Sequence, residues 1–296
     1  MRCDLHVHTR HSGLCTIPLL NRVCRESYND PDAVYELLKR RGMDLVTVTD
    51  HDSIDAAESL RKHPDFFLSE EVTSITPSGN EIHVGVYGIG ERDHIALQAR
   101  RNDVPALVAY LNERRIFFSI NHVFSGLTGR RSSHDFEMFE RDFPGMETLN
   151  GAIPARNNRS AARLAGEWSK APVGGSDAHT LAALGKTWTE IPGACTAAEF
   201  LEGLRRSRGQ VAGASGSFAK LTAAVSVIGL NLISDYAWAI ALAPLLALVP
   251  LVMLGNYASE LLFEYRWSRR VMAQPEGINR ALIPYSRVSI RSSIQS

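Results

Sequence analysis

Residues 47–52 read Thr47-Val48-Thr49-Asp50-His51-Asp52, an apolar, β-branched run that stops abruptly in three ionisable side chains. That is the pattern of a parallel strand whose carboxyl end opens into a site. An aspartate and a histidine buried there without a cation or polar partner would be costly. Asp52 taken singly also fits a helix cap, a reading that does not extend to His51.

Working outward, the same pattern recurs. Upstream, Asp4-Leu5-His6-Val7-His8 alternates, so that on a strand His6 and His8 share one face while Leu5 and Val7 take the other. Downstream, Leu68-Ser69-Glu70-Glu71-Val72 is followed by Glu81-Ile82-His83-Val84. A carboxylate there can bridge two cations about 3.5–4 Å apart, and either Glu70 or Glu71 fits. Ile120-Asn121-His122 is again the polar end of an apolar run, and Gly174-Gly175-Ser176-Asp177-Ala178-His179 sets Asp177 and His179 on one face. The paired glycines let neighbouring backbone come close. Each piece has an ordinary structural reading when taken singly. Together, at the ends of successive strands, they point to a cluster of divalent cations. Mixed imidazole and carboxylate donors favour zinc, manganese or iron over calcium.

Around these sites short apolar runs alternate with helix-like segments up to about Gly213, which predicts βα units around a parallel sheet or barrel. The strands expected are 3–8, 45–50, 66–69, 82–87, 117–121, 145–149 and 171–174. Asp30 followed by Pro31 predicts a helix start that Gly42 ends, and Thr196-Ala197-Ala198-Glu199 predicts a capping box. Lys plus Arg equals Asp plus Glu at 32 each, so no overall charge favours long nucleic acid. Cys3, Cys15, Cys24 and Cys195 show no paired spacing, which suits a reducing cytoplasm, and no apolar leader precedes the first strand.

Beyond Gly213 the composition changes. Residues 221–255 are almost wholly apolar, and 237–254 form 18 residues without a charge, near the lower limit for a membrane span. Basic residues flank the run on both sides: Arg205, Arg206, Arg208 and Lys220 before it, Arg266, Arg269 and Arg270 after it. A hairpin entering the bilayer and returning keeps both flanks on the cytoplasmic side, as the usual Lys and Arg bias requires. A helical pair buried on the domain or on a second subunit is the alternative. Past Arg270 a loose polar tail is expected.

The full set, HxH, TDHD, the glutamate of EEVT, the histidines of EIH and NH, and GGSDAHT, resembles the polymerase-and-histidinol-phosphatase (PHP) family over about residues 2–212. The segment Glu147-Thr148-Leu149-Asn150-Gly151 and the helix after it are similar as well. The resemblance implies an α/β fold, a distorted (βα)7 barrel with metals at the strands' carboxyl ends. Here an apolar helical segment follows it, with a PHP phosphoesterase domain over 1–213, the anchor over 214–260 and a polar basic tail over 261–296. Carried over position by position, the resemblance gives one cation His6, His8, Glu71 and Asp177. It gives a second Glu71, His83 and His122, and a third His51 and His179. Glu71 is preferred to Glu70 because it directly precedes the Val-Thr of the motif. His51, His179 and Asp177 take the catalytic roles, with either histidine able to donate a proton to the leaving alkoxide.

The activity implied is hydrolysis of a phosphomonoester or small phosphodiester by metal-activated water, on two or three divalent cations. The substrate expected is a small phosphorylated molecule, nucleotide-like or a lipid or glycan phosphate, met at the inner face of the cell membrane through contact over 221–255. The competing reading is a metal-binding regulatory module without turnover. Its support is one departure: where the family often reads HxHTxxSD, Gly13 stands at the aspartate position. Either His11 or Cys15 substitutes, or the third position is weak. Arg10 and His11 are phosphate contacts or plain surface. The insert 14–29 is expected to lie over the site, and Arg130, Arg131 and Arg156 are candidates to grip phosphate.

Overall fold

Asp30 opens its helix as the sequence predicts: in the computed structural model, which describes residues 1–15 and 20–272, its carboxylate accepts from the N–H groups of Asp32 and Ala33. Helix α1 (Pro31–Arg40) then runs to Gly42, which stops it in the left-handed conformation, φ 81°. Thr196 caps a later helix by accepting from Glu199 N–H, but the Glu199 carboxylate reaches back to Cys195 N–H, one residue before the cap.

The chain begins with β1 (Arg2–Cys3), followed by α1, α2 (Ala57–Leu60), β2 (Ser69–Ile75) and β3 (Glu81–Tyr87). Next come α3 (Glu91–Gln98), α4 (Val104–Glu113), β4 (Phe117–Ile120), α5 (Ser133–Asp142), β5 (Gly145–Asn150) and α6 (Ala155–Glu167). The domain closes with β6 (Ala171–Gly175), β7 (Thr187–Glu190), α7 (Ala197–Arg205) and β8 (Gln210–Gly213).

The strands form two sheets. One is five-stranded in the order β2-β3-β4-β5-β6, antiparallel through β4 and parallel from β4 to β6. The other is an antiparallel β1-β7-β8 ribbon, whose last two strands the hydrophobic pattern does not announce. The closed (βα)7 barrel expected from the sequence is not present among the described residues. Segments 4–9 and 46–52 lie in the gap and are tied in without a continuous ladder, by isolated bridges from Val7 to Ala178, Val46 to Phe66 and His51 to Glu71 and by single bonds such as Thr49 N–H to Val7 O and Asp177 N–H to His6 O. The reason is chemical: their polar side chains turn inward and bond to backbone. Asp4 accepts from Ser176 N–H and Gly185 N–H, and Asp50 from Thr9 N–H. A regular ladder would point those groups elsewhere.

The main core packs the five-stranded sheet against α4, α5 and α6, with Phe118, Phe139, Leu107 and Leu164 fully buried or nearly so. After the domain come α8 (Phe218–Asp235), a 3-10 helix (Ala237–Leu248) and α9 (Val249–Met272). Pro250 falls in the first turn of α9, where no intrahelical N–H is needed. The apolar windows of this region are only 6% and 11% buried, so the described domain does not cover them. The far half of α9 is different. Trp267 stacks on Phe136 in the main core, Glu260 accepts from Gly126 N–H, and Glu264 pairs with Arg156. The expected loose tail lies, beyond Met272, outside the described residues.

Candidate metal centre

The polar strand ends identified in the sequence converge on one carboxylate. Glu71 is fully buried, and five imidazoles approach it: His6 Nε2 at 3.1 Å, His122 Nε2 and His51 Nδ1 at 3.4 Å, His8 Nε2 and His83 Nδ1 at 3.5 Å. Register explains why Glu71 serves and Glu70 does not. Successive residues of β2 face opposite sides, and Glu70 turns away to His94 Nδ1 at 2.8 Å and Gln98. Asp177 forms a second focus, 3.4 Å from His8 Nε2, 3.5 Å from His179 Nδ1 and 3.7 Å from His6 Nε2. All eight residues expected as ligands are therefore brought together: His6, His8, His51, Glu71, His83, His122, Asp177 and His179.

Their donor atoms form overlapping sets lying within 4.8 Å of one another: His6, His8 and Asp177; His6, Glu71 and His122; His51, Glu71 and His83; His8, His51 and His179. The sets link His51 to Glu71 and His83 as well as to His179, a connection that strand order does not reveal.

The backbone turns sharply at these positions. Asp52, His122 and Asp177 are non-glycine residues with positive φ, at 51°, 28° and 50°. Such conformations are held only where surrounding bonds fix them. For Asp177 they do: its N–H donates to His6 O at 2.7 Å, while Ser176 N–H and Oγ–H donate to Asp4. The glycines permit this contact. A Cβ on Gly175 would fall 2.4 Å from His6 N.

A further layer of groups orients the ligands, and the sequence reading left it unassigned. His6 Nδ1–H donates to Glu147 at 2.8 Å, which turns Nε2 toward Glu71; the other oxygen of Glu147 accepts from His122 N–H. Asn150 donates to both Glu147 and Asp177, and Asn121 donates to Glu71. Asp50 holds the hydroxyls of Thr9 and Ser12, and the Ser12 oxygen lies 2.9 Å from His8 Nδ1. Asp50 thus acts as a strut for the ligand loop. Asp52 is no helix cap: it accepts from Thr73 N–H and pairs with Arg101. Glu147 and Asn150, at the polar end of β5, carry the same signal as the other motifs.

Electrostatically the centre has too many donors for its own protons. Burial works against charge on Glu71, but His6, His83 and His51 outweigh it and hold the carboxyl well below its ordinary range. Burial likewise opposes charge on Asp177, and His6, His8 and His179 overcome it. Burial drives His51 down to about 4. Burial also opposes charge on His83 and His179, but Glu71 with Glu81 raises the first to about 9 and Glu26 with Asp177 raises the second to about 9. Four buried ring nitrogens, His8 Nε2, His51 Nδ1, His83 Nδ1 and His122 Nδ1, have no hydrogen-bond partner among the described residues, and the first three each lie near the Glu71 carboxylate without bonding it. Leaving such groups unmade is expensive. Imidazole nitrogens and carboxylate oxygens converging in this way form a donor set that fits divalent transition metals.

Two arginines proposed as phosphate grips are committed elsewhere: Arg131 donates to Glu81 O and Thr128, and Arg156 pairs with Glu264 of α9. Arg10 pairs with Asp30 at the surface.

Comparison with known proteins agrees with this architecture. A family model described as PHP-associated matches residues 155–208. An uncharacterized protein of Methanocaldococcus jannaschii is 31% identical over 62 residues, 21% of this chain and 35% of its own length. The chain is similar to a two-domain protein of Bacteroides vulgatus that contains a predicted PHP-like metal-dependent phosphoesterase. That match has a TM-score of 0.56 at 14% identity and covers 72% of this chain and 64% of the other. It is also similar to PsfC from Pseudomonas syringae, with a TM-score of 0.55 at 19% identity, covering 79% of this chain and 98% of that one. At these identities the likeness is one of fold. The chain spans about a third of the curated relative and just under two thirds of the Bacteroides protein.

Proposed function

We propose that the chain is a PHP-type hydrolase of phosphate esters, acting on a phosphomonoester or small phosphodiester with two or three divalent cations, zinc, manganese or iron. The observation that carries this reading is the carboxylate of Glu71 ringed by five imidazoles within 3.5 Å, beside a second focus at Asp177. His6, His8, Glu71 and Asp177 would hold one cation, Glu71, His83 and His122 a second, and His51 and His179 a third. Bound divalent cations supply the Lewis acidity that activates water and neutralises phosphate charge.

The protein's own groups do the rest. Glu147 fixes the His6 ring, and Ser12, itself held by Asp50, sits against the His8 ring, so both rings present a nitrogen without further reorganisation. Where the third cation is absent, His179, at the rim with its side chain 21% exposed, is free to pass a proton to a leaving oxygen. No serine or cysteine with an adjacent base is required.

Membrane association is the second part of the proposal. The apolar hairpin built of α8, the 3-10 helix and the first half of α9 would enter the bilayer from the cytoplasmic side and return. The support is the low burial of its apolar windows and the exposure of Trp238, Ile240, Leu251 and Val252. Arg266, Arg269 and Arg270 at the end of α9 would then meet anionic headgroups.

The test is phosphate release by the full detergent-solubilised chain, loaded with manganese or zinc, on aryl phosphate mono- and diesters. The control is His83→Ala with Asp177→Ala, which removes donors from both foci. Metal-dependent release that the control abolishes is expected. Metal binding without release from any ester would leave a regulatory module.

A further inference from the structure

Gly13 stands where the family motif places an aspartate, and its φ of 88° orients the chain away from a regular course. The insert that follows folds straight back on it. Leu14 pairs with Arg25 in an antiparallel bridge, Cys15 N–H donates to Cys24 O at 2.9 Å, and Glu26 N–H donates to Gly13 O at 3.2 Å. This small return sets Glu26 beside the position that lacks its carboxylate.

The Glu26 side chain points into the centre. One oxygen lies 3.4 Å from His179 Nε2 and the other 3.7 Å from His51 Nε2. Those two rings and His8 form the one donor set among the described residues that is made of imidazoles and contains no carboxylate. The other three sets each include Asp177 or Glu71. Neither His11 nor Cys15 belongs to any of them, and Glu26, also outside the four sets, is brought to this one by its approaches of 3.4 Å to His179 and 3.7 Å to His51.

We propose that Glu26 is the carboxylate ligand of the third cation, standing in for the aspartate absent at Gly13. The inference rests on the reading of the centre as a metal cluster. It gives the insert 14–29, of which 16–19 lie outside the described residues, a definite role through Glu26, which supplies a donor to the centre. A purely structural Glu26 would be an ion-pair partner of His179, with no effect on how many ions bind.

The experiment counts manganese on the full chain, stripped with chelator and reloaded, by elemental analysis and by the paramagnetic resonance signal of free Mn²⁺ during titration. Three proteins are compared: wild type, Glu26→Gln, and Glu26→Gln with Gly13→Asp. The double variant has room for the new side chain, since a Cβ on Gly13 meets nothing within 4 Å, and aspartate bears the backbone strain of a φ of 88° at lower cost than most residues. Three ions on wild type are expected and two on Glu26→Gln, the third binding more than about 100-fold more weakly, beyond the effect typical of an outer-shell partner. The double variant should recover the third ion. Equal numbers on wild type and Glu26→Gln, whether two or three, would overturn the proposal, as would a loss that Gly13→Asp fails to repair. No manganese on any of the three would instead overturn the metal reading of the whole centre.

Discussion

Glu147 shows how a residue outside the converging donor set can set the chemistry of one within it. An imidazole can ligate through either nitrogen, and the partner of the other nitrogen decides which one is free. With Nδ1–H donated to Glu147, His6 is left to offer Nε2 to the cluster, and the same carboxylate fixes the backbone of His122 through its N–H. Glu147→Gln keeps the shape and replaces a charged acceptor with an amide. It is expected to weaken metal binding by roughly 10–100-fold, measured by competition with a metal indicator. Little change in affinity would reduce Glu147 to a packing role. At this scale much of the site is legible in the sequence, because each ligand sits where an apolar run ends in ionisable residues. The pair Glu70-Glu71 is settled only by strand register. Glu26 was hidden for a different reason: it belongs to a loop without period, and its partnership with Gly13, His51 and His179 exists only once that loop folds back.

Secondary-structure elements position the centre by close approach. β6 lies against the His6 segment with no room for a side chain at Gly175, where a Cβ would be 2.3 Å from His6 Cβ as well as 2.4 Å from its nitrogen. Gly175→Ala must therefore push apart the two segments that carry His6, His8 and Asp177. A loss of about 1–3 kcal/mol in stability toward denaturant is expected, accompanied by weaker metal binding. Unchanged metal affinity in a destabilised protein would separate the fold from the site. The sequence suggested the function of these glycines, and it also gave the caps at Asp30 and Thr196, since local chemistry decides both. The strands β7 and β8 escaped it because their burial depends on β1 and on the edge of β6, which are distant in the chain. The expectation of a closed barrel failed in the same way. Asp4 and Asp50 spend their side chains on backbone N–H groups across the gap, and a strand cannot do that while keeping a continuous ladder.

At the scale of the whole molecule, α9 joins a packed half to an exposed apolar half. Its later turns are part of the domain, with Trp267 in the core and Glu260 bonded to the loop that follows His122, while its first turns and the 3-10 helix present exposed apolar side chains. Composition alone left open whether this region is buried or membrane-bound; in the folded chain the described domain leaves its apolar windows 6% and 11% buried, which is what the proposed membrane contact requires. The full chain is expected to float with lipid vesicles and to bind those containing phosphatidylglycerol more tightly than phosphatidylcholine alone, by roughly fivefold for each arginine at the surface. A detergent-free, soluble oligomer that ignores vesicles would mean that a second copy covers the hairpin.

Everything proposed for the centre turns on Glu71 as the shared carboxylate of a polynuclear cluster. Paramagnetic resonance of the manganese-loaded full chain tests it, because two Mn²⁺ ions joined by one carboxylate give an exchange-coupled spectrum that separate ions do not. We expect coupling in the wild type and its loss in Glu71→Gln. A wild-type spectrum of isolated ions only, or coupling that survives the substitution, would contradict the assignment of Glu71 and the centre built around it.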